Sequence, residues 1–174
     1  MSKWNVDVTH TNVGFTVRHM MVSKVRGDFS DIEGTIEGNP TELENSKIKF
    51  RVGIESISTN NEDRDNHLRS ADFFEVEKYP NMTFESTNIT KTSDNEYALT
   101  GNLTIKGVTK ETTFNVVYLG EGTNPWGAAV VGFEASTKIS RKEFDLTWNQ
   151  ALETGGVLVG DDIEIIIDLQ ANPA

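Results

Sequence analysis

The stretch Tyr97-Ala98-Leu99-Thr100-Gly101-Asn102-Leu103-Thr104-Ile105 sets Tyr97, Leu99, Gly101, Leu103 and Ile105 at every second position. Successive side chains on a strand point to opposite faces, so this spacing makes one apolar face and one wetter face. Lys106-Gly107 follows, a polar connection of hairpin size, and Thr112, Phe114, Val116 and Tyr118 then repeat the period. The segment reads as two antiparallel strands with one buried face. It predicts an all-β fold.

The same alternation recurs on both sides of this hairpin. Upstream, Val13, Phe15, Val17, His19 and Met21 share a face. Val25, Gly27 and Phe29 continue out of step with Ile32, Gly34 and Ile36, which predicts a bulge or sharp bend near Ser30-Asp31. Ile48, Phe50, Val52 and Ile54 form the clearest strand, and Met82 and Phe84 open another. Downstream come Val131, Phe133, Ala135, Thr137 and Ile139, then Ile163, Ile165, Ile167 and Leu169. That makes eight strands. Thr92-Ser93-Asp94-Asn95 is a second short hairpin connection, and 120–127, with Asn124-Pro125, a looser turn. Long strands joined mostly by short hairpins favour a closed up-and-down barrel over a sandwich, and closure removes exposed edges. Composition agrees: Val, Ile and Thr outnumber Leu and Ala by 46 to 17 among 174 residues, a balance that favours pleated sheet.

Two regions break the pattern. Thr59-Asn60-Asn61-Glu62 reads as a capping box, followed by Arg64, His67, Leu68 and Ala71 on one face of a short helix between the third and fourth strands. A helix closing one barrel mouth would hang Arg64 and His67 over the lumen. The segment 141–156 is irregular and holds Phe144, Leu146, Trp148 and Gly155-Gly156. No linker or repeat divides the chain, so residues 1–174 read as one domain.

Several functional classes fall away. With 27 acidic and 16 basic residues the net charge is −11, which repels nucleic-acid phosphates. Without cysteine there is no disulfide, thiolate metal site or thiol nucleophile. The apolar runs fall far short of the ~20 residues that span a bilayer, and no leader pattern opens the sequence, so a cytoplasmic protein is expected, or an exported one if a leader has been removed. The glycine-rich stretch 155–160 precedes a strand rather than a helix, so it lacks the helix N-terminus that attracts phosphate. Asp161-Asp162 and Asp28/Asp31 read as solvated turn carboxylates. His10, His19 and His67 lack the tight spacing of a zinc motif. His19 shares a face with apolar residues, so its ring needs a hydrogen-bond partner, either a protein group or the polar end of a ligand.

The ordered motifs resemble the YceI-like, polyisoprenoid-binding family. They are Trp4-Asn5-Val6-Asp7 with His10-Thr11-Asn12-Val13-Gly14-Phe15-Thr16-Val17-Arg18-His19-Met20, then Val25-Arg26-Gly27-Asp28-Phe29 and Arg64-Asp65-Asn66-His67-Leu68. Asp72-Phe73-Phe74-Glu75-Val76 with Tyr79-Pro80 follows, then Gly101-Asn102-Leu103-Thr104-Ile105-Lys106-Gly107-Val108-Thr109-Lys110 and Ile139-Ser140-Arg141-Lys142-Glu143-Phe144. The resemblance implies a lipocalin-like eight-stranded antiparallel barrel whose apolar lumen holds an isoprenoid or similar lipid tail. Phe144-Asp145-Leu146 departs from the Phe-Gly-Ile that many relatives carry.

The expected function is therefore binding of a long apolar lipid for sequestration, storage or transport, with no catalytic residue, cofactor or metal. The shared inward phase assigns Phe15, Val17, Val52, Ile54, Phe84, Leu99, Leu103, Phe114, Val116 and Phe133 to the tail cavity, with Gly101 leaving room there. His19, Arg64 and His67 are the candidate polar contacts. Two readings compete: a small enzyme using His19, His67 and Arg64, and a stress-related barrel with a filled lumen. No nucleic acid or membrane span is expected, and a homodimer is compatible with the sequence.

Overall fold

The alternating segments pair in chain order and the last returns to the first. In the computed structural model, which describes residues 2–20, 22–149 and 159–174 and only the backbone of His19, the strands are β1 (Lys3–Val6), β2 (Asn12–His19), β3 (Ser23–Phe29), β4 (Asp31–Glu37), β5 (Lys47–Gly53), β6 (Asn81–Ser93), β7 (Glu96–Ile105), β8 (Val108–Thr123), β9 (Ala129–Ser140) and β10 (Val159–Pro173). The sheet order is β1-β4-β5-β6-β7-β8-β9-β10-β2-β3, all antiparallel, and β1 also pairs with β10. Met21, the side chain of His19 and Gly155-Gly156 lie outside the described residues.

These ten segments are eight barrel strands, two of them bent. β1 and β2 both run along β10, with a 3-10 turn at Val8–His10 between them. β3 pairs with β2 and β4 with β1, and the break between β3 and β4 falls at Ser30. The lost period between Phe29 and Ile32 is thus a bend, placed where the sequence pattern slips. Ser56 Oγ accepts from the backbone N–H groups of Ser30 and Asp31 there, so the corner leaves neither donor unsatisfied.

The β7–β8 hairpin follows the pattern that predicted it. Tyr97, Leu99, Gly101, Leu103 and Ile105 are buried, as are Thr112, Phe114 and Val116. Lys106 and Gly107 turn with φ of 52° and 75°, the paired left-handed geometry that matches strand twist. The β8–β9 turn is tighter than expected. β8 pairs through Thr123, and Asn124 Oδ1 accepts from the N–H groups of Trp126 and Ala128, leaving only 124–128 as loop.

The helix α1 (Glu62–Arg69) also starts later than the capping box implies. Asn61 is the cap: its Oδ1 accepts from Arg64 N–H at 2.9 Å. Thr59 is buried and instead donates its N–H and hydroxyl to Asp65. Ala71 lies past the C-cap Ser70, outside the helix. Two potential caps stood two residues apart, and the tertiary demand of Asp65 took the threonine.

Candidate ligand-binding lumen

The inward faces enclose two chambers. One, of about 110 Å³, is walled by Val52, Phe84, Leu99, Leu103, Phe114, Val116 and Phe133, together with Leu43, Ile48 and Phe50. Apart from Thr35 and Thr83, its described lining is apolar. The other, of about 90 Å³, is walled by Phe15, Val17, Phe29, Leu68, Phe73, Phe74, Ile139, Leu146 and Ile163. Val13, Met82, Ile105 and Ile165 line both. β2 and β10 neighbour each other, as do β6 and β7 across the barrel, so these four side chains form a waist between opposite walls. The lumen thus holds two apolar chambers in line, with these four side chains between them.

Each chamber is smaller than the roughly 300–1,000 Å³ of an ordinary small-molecule pocket. A thin chain suits this shape better than a fused ring system. The inner chamber lies toward the end carrying Leu43, and the outer one lies under α1 and the segment after β9, where Leu68, Phe73, Phe74 and Leu146 close the barrel.

Two sequence expectations for this lumen are overturned. Ile54 is wholly buried, but it sits in the 3-10 turn Ile54–Ser56 after β5 and lines neither chamber; the period ends where the strand ends. Gly101 opens no room. A Cβ there would stand 2.4 Å from Glu85 O and 2.6 Å from Phe84 Cζ, because β6 shifts register between Ser86 and Asn88 and its neighbour fills the gap.

Nor do Arg64 and His67 line the lumen. Arg64 folds back on Thr59, donating from Nε to Oγ1 at 2.8 Å and from Nη2 to the carbonyl at 2.7 Å. His67 Nε2 lies 2.9 Å from Asp72 Oδ2, and its ring meets Trp148 and Phe73 edge-on at 4.6 and 5.1 Å between centroids. Of the predicted helix face, Leu68 reaches the chamber. The helix does cover one end of the barrel, but with its apolar residue inward.

The charged residue that does line the lumen is Arg141, alone among the described residues. It is 1% exposed. Its Nε donates to Gly160 O at 2.8 Å, Nη1 to the carbonyls of Leu146 and Trp148, and Nη2 to Val159 O at 3.3 Å. These use four of the five guanidinium donors; Asp161 Oδ1 stands 3.9 Å from Nη2. Burial pushes the guanidinium below its ordinary pKa, and Asp161 opposes that shift. Arg141 was present in the motif that carried the family resemblance, yet nothing in strand alternation marks a residue just past a strand end as inward-facing.

A family model described as the YceI-like domain matches residues 4–171. The chain belongs to the YceI-like family. The UPF0312 protein of Staphylococcus epidermidis is 42% identical over 165 residues, 94% of each chain. A solved Campylobacter jejuni YCEI protein is 35% identical with a TM-score of 0.75, covering 95% of each chain. A polyisoprenoid binding domain from Saccharophagus degradans shares the fold at 13% identity, with a TM-score of 0.71 over all of both chains. The YceI-like chain thus has the lipocalin-like closed barrel of its relatives. No helix among its described residues is long and apolar enough to cross a membrane.

Proposed function

We propose that this YceI-like protein binds one long, thin apolar lipid along its lumen, an isoprenoid or a comparable chain, and holds it for sequestration, storage or transport. The observation that carries the reading is the pair of apolar chambers in line along the barrel, which share Val13, Met82, Ile105 and Ile165 as lining. Each CH₂ transferred from water into such a space is worth about 0.8 kcal/mol, so a long chain gains affinity without any polar contact. Orientation needs a polar group, and Arg141 supplies one at the outer chamber only. The tail therefore lies in the inner chamber and the head near Arg141, whose remaining Nη2 hydrogen suits an oxygen of a phosphate, carboxylate or carbonyl. The Saccharophagus degradans domain, described as binding polyisoprenoid, supports the same ligand class.

The test is organic extraction of the purified protein followed by mass spectrometry, with reloading from detergent if the preparation is empty. A single long-chain lipid in amounts matching the protein supports the reading. Failure to carry or take up any such lipid overturns it.

A further inference from the structure

A lipid with a long tail is almost insoluble as a monomer, so a carrier must exchange it at a lipid surface. The β2–β3 hairpin has the chemistry for that contact. At its tip Val22 is 85% exposed and Met20 46% exposed. Met20 also holds φ 54°, a backbone conformation that L side chains rarely adopt. Large apolar side chains held in water at a loop tip are a liability unless something covers them.

Below the tip the hairpin is basic, although the chain carries −11. Arg18 and Lys24 are cross-strand partners, and Arg26 lies two residues further along β3. All three are exposed, and none forms an ion pair among the described residues. Like charges placed directly opposite each other repel, so this arrangement gains from an anionic surface. The same barrel end also carries the exposed Glu62 and Asp63 on α1, and a turn at the other end exposes Trp126, so what distinguishes the β2–β3 hairpin is an apolar tip set directly beside cations. The β2–β3 hairpin is also part of the outer chamber: Phe15, Val17 and Phe29 line it from β2 and β3. An apolar tip, a basic collar and the chamber wall thus lie on one hairpin.

We infer that the β2–β3 hairpin docks this protein on an anionic lipid bilayer, with Met20 and Val22 entering the interface and Arg18, Lys24 and Arg26 facing the head-group phosphates. Insertion of a few apolar side chains, backed by cations, gives weak and reversible attachment, which suits a shuttle. The inference uses the lumen reading for its cargo, but the surface itself is tested separately.

Full-length protein is sedimented with phosphatidylcholine vesicles, with and without phosphatidylglycerol, at low and high salt. Wild type should bind the anionic vesicles, and salt should weaken that binding. Val22→Asp should lower vesicle partition by roughly tenfold or more, the factor expected when one valine's burial is lost. R18S/K24S should abolish the preference for phosphatidylglycerol. Both variants change exposed residues, so their thermal unfolding and their uptake of lipid from detergent should match wild type. No vesicle binding by wild type, or equal binding by Val22→Asp, overturns the inference. A Val22-dependent dimer in solution, without vesicle binding, also overturns it and assigns the tip to self-association. Vesicle binding that survives when no lipid enters the lumen keeps the docking surface and removes the cargo reading instead.

Discussion

Phe15 lies over Gly27, its partner across β2 and β3: a Cβ added at Gly27 would stand 2.4 Å from Phe15 Cζ. Phe50 covers its cross-strand partner Gly34 in the same way. In each pair the absent side chain lets the ring settle against the barrel wall, and both rings also line a chamber. Gly27→Ala should therefore push Phe15 into the outer chamber. The expected cost is about 1–3 kcal/mol of stability, the usual penalty for overpacking. Urea unfolding measures the stability, and displacement of a fluorescent lipid probe should show weaker binding.

The waist predicts selection by length. Val13→Phe adds bulk where the two chambers join. Long tails should lose affinity because they can no longer thread both chambers, while chains short enough for one chamber should bind nearly as before. Competition between short and long prenyl alcohols for wild type and variant checks this. Equal losses for both lengths would mean that the two chambers are not used together.

Arg141 gathers the carbonyls of Leu146, Trp148, Val159 and Gly160 beneath the barrel end. Arg141→Lys keeps the charge but presents three donors from one point instead of a planar fork, so although Val159 O keeps Asn149 Nδ2, the spread carbonyls of Leu146, Trp148 and Gly160 are no longer all reached together. Each carbonyl left dry and unpaired costs about 1–3 kcal/mol. Denaturant unfolding should show a loss on that scale, and a head-bearing lipid should lose more affinity than a headless hydrocarbon.

Acid should weaken the corner where β1 gives way to the 3-10 turn. The Thr9 hydroxyl, then the His10 ring, hold the Asp7 carboxyl down at about 2 from 3.8. A carboxyl with a depressed folded pKa stabilises the fold fully above its unfolded value and loses that contribution as pH falls through the folded one. The contribution, about 1–2 kcal/mol, is thus present above pH 4 and disappears between roughly pH 4 and 2. Unfolding free energies of wild type and Asp7→Asn, measured across that window, should converge as pH falls.

The barrel was readable because its signal is repeated. Each strand carries one apolar phase, and the bend at Ser30 showed itself as a slip in that phase. The same signal placed Phe15, Val17, Val52, Phe84, Leu99, Leu103, Phe114, Val116 and Phe133 along the chambers. It failed where strands end. Ile54 kept the phase but belongs to a 3-10 turn, and Arg141 turns inward from a segment with no period. Helical spacing put Arg64 and His67 on the same face as Leu68, yet spacing does not reveal competing partners, and Thr59 and Asp72 claim those two side chains. Asp145 had a visible cause. It departs from the glycine that the family resemblance leads one to expect there, and it holds φ 61°, a left-handed conformation that aspartate tolerates better than most residues.

The most direct test of a two-chamber lumen is native mass spectrometry of the protein loaded from detergent with prenyl alcohols of increasing length. One lipid per chain is expected, with affinity rising with each added prenyl unit until both chambers are filled and levelling off beyond that. Affinity that does not depend on length, or a protein that retains no lipid at any length, would contradict the account.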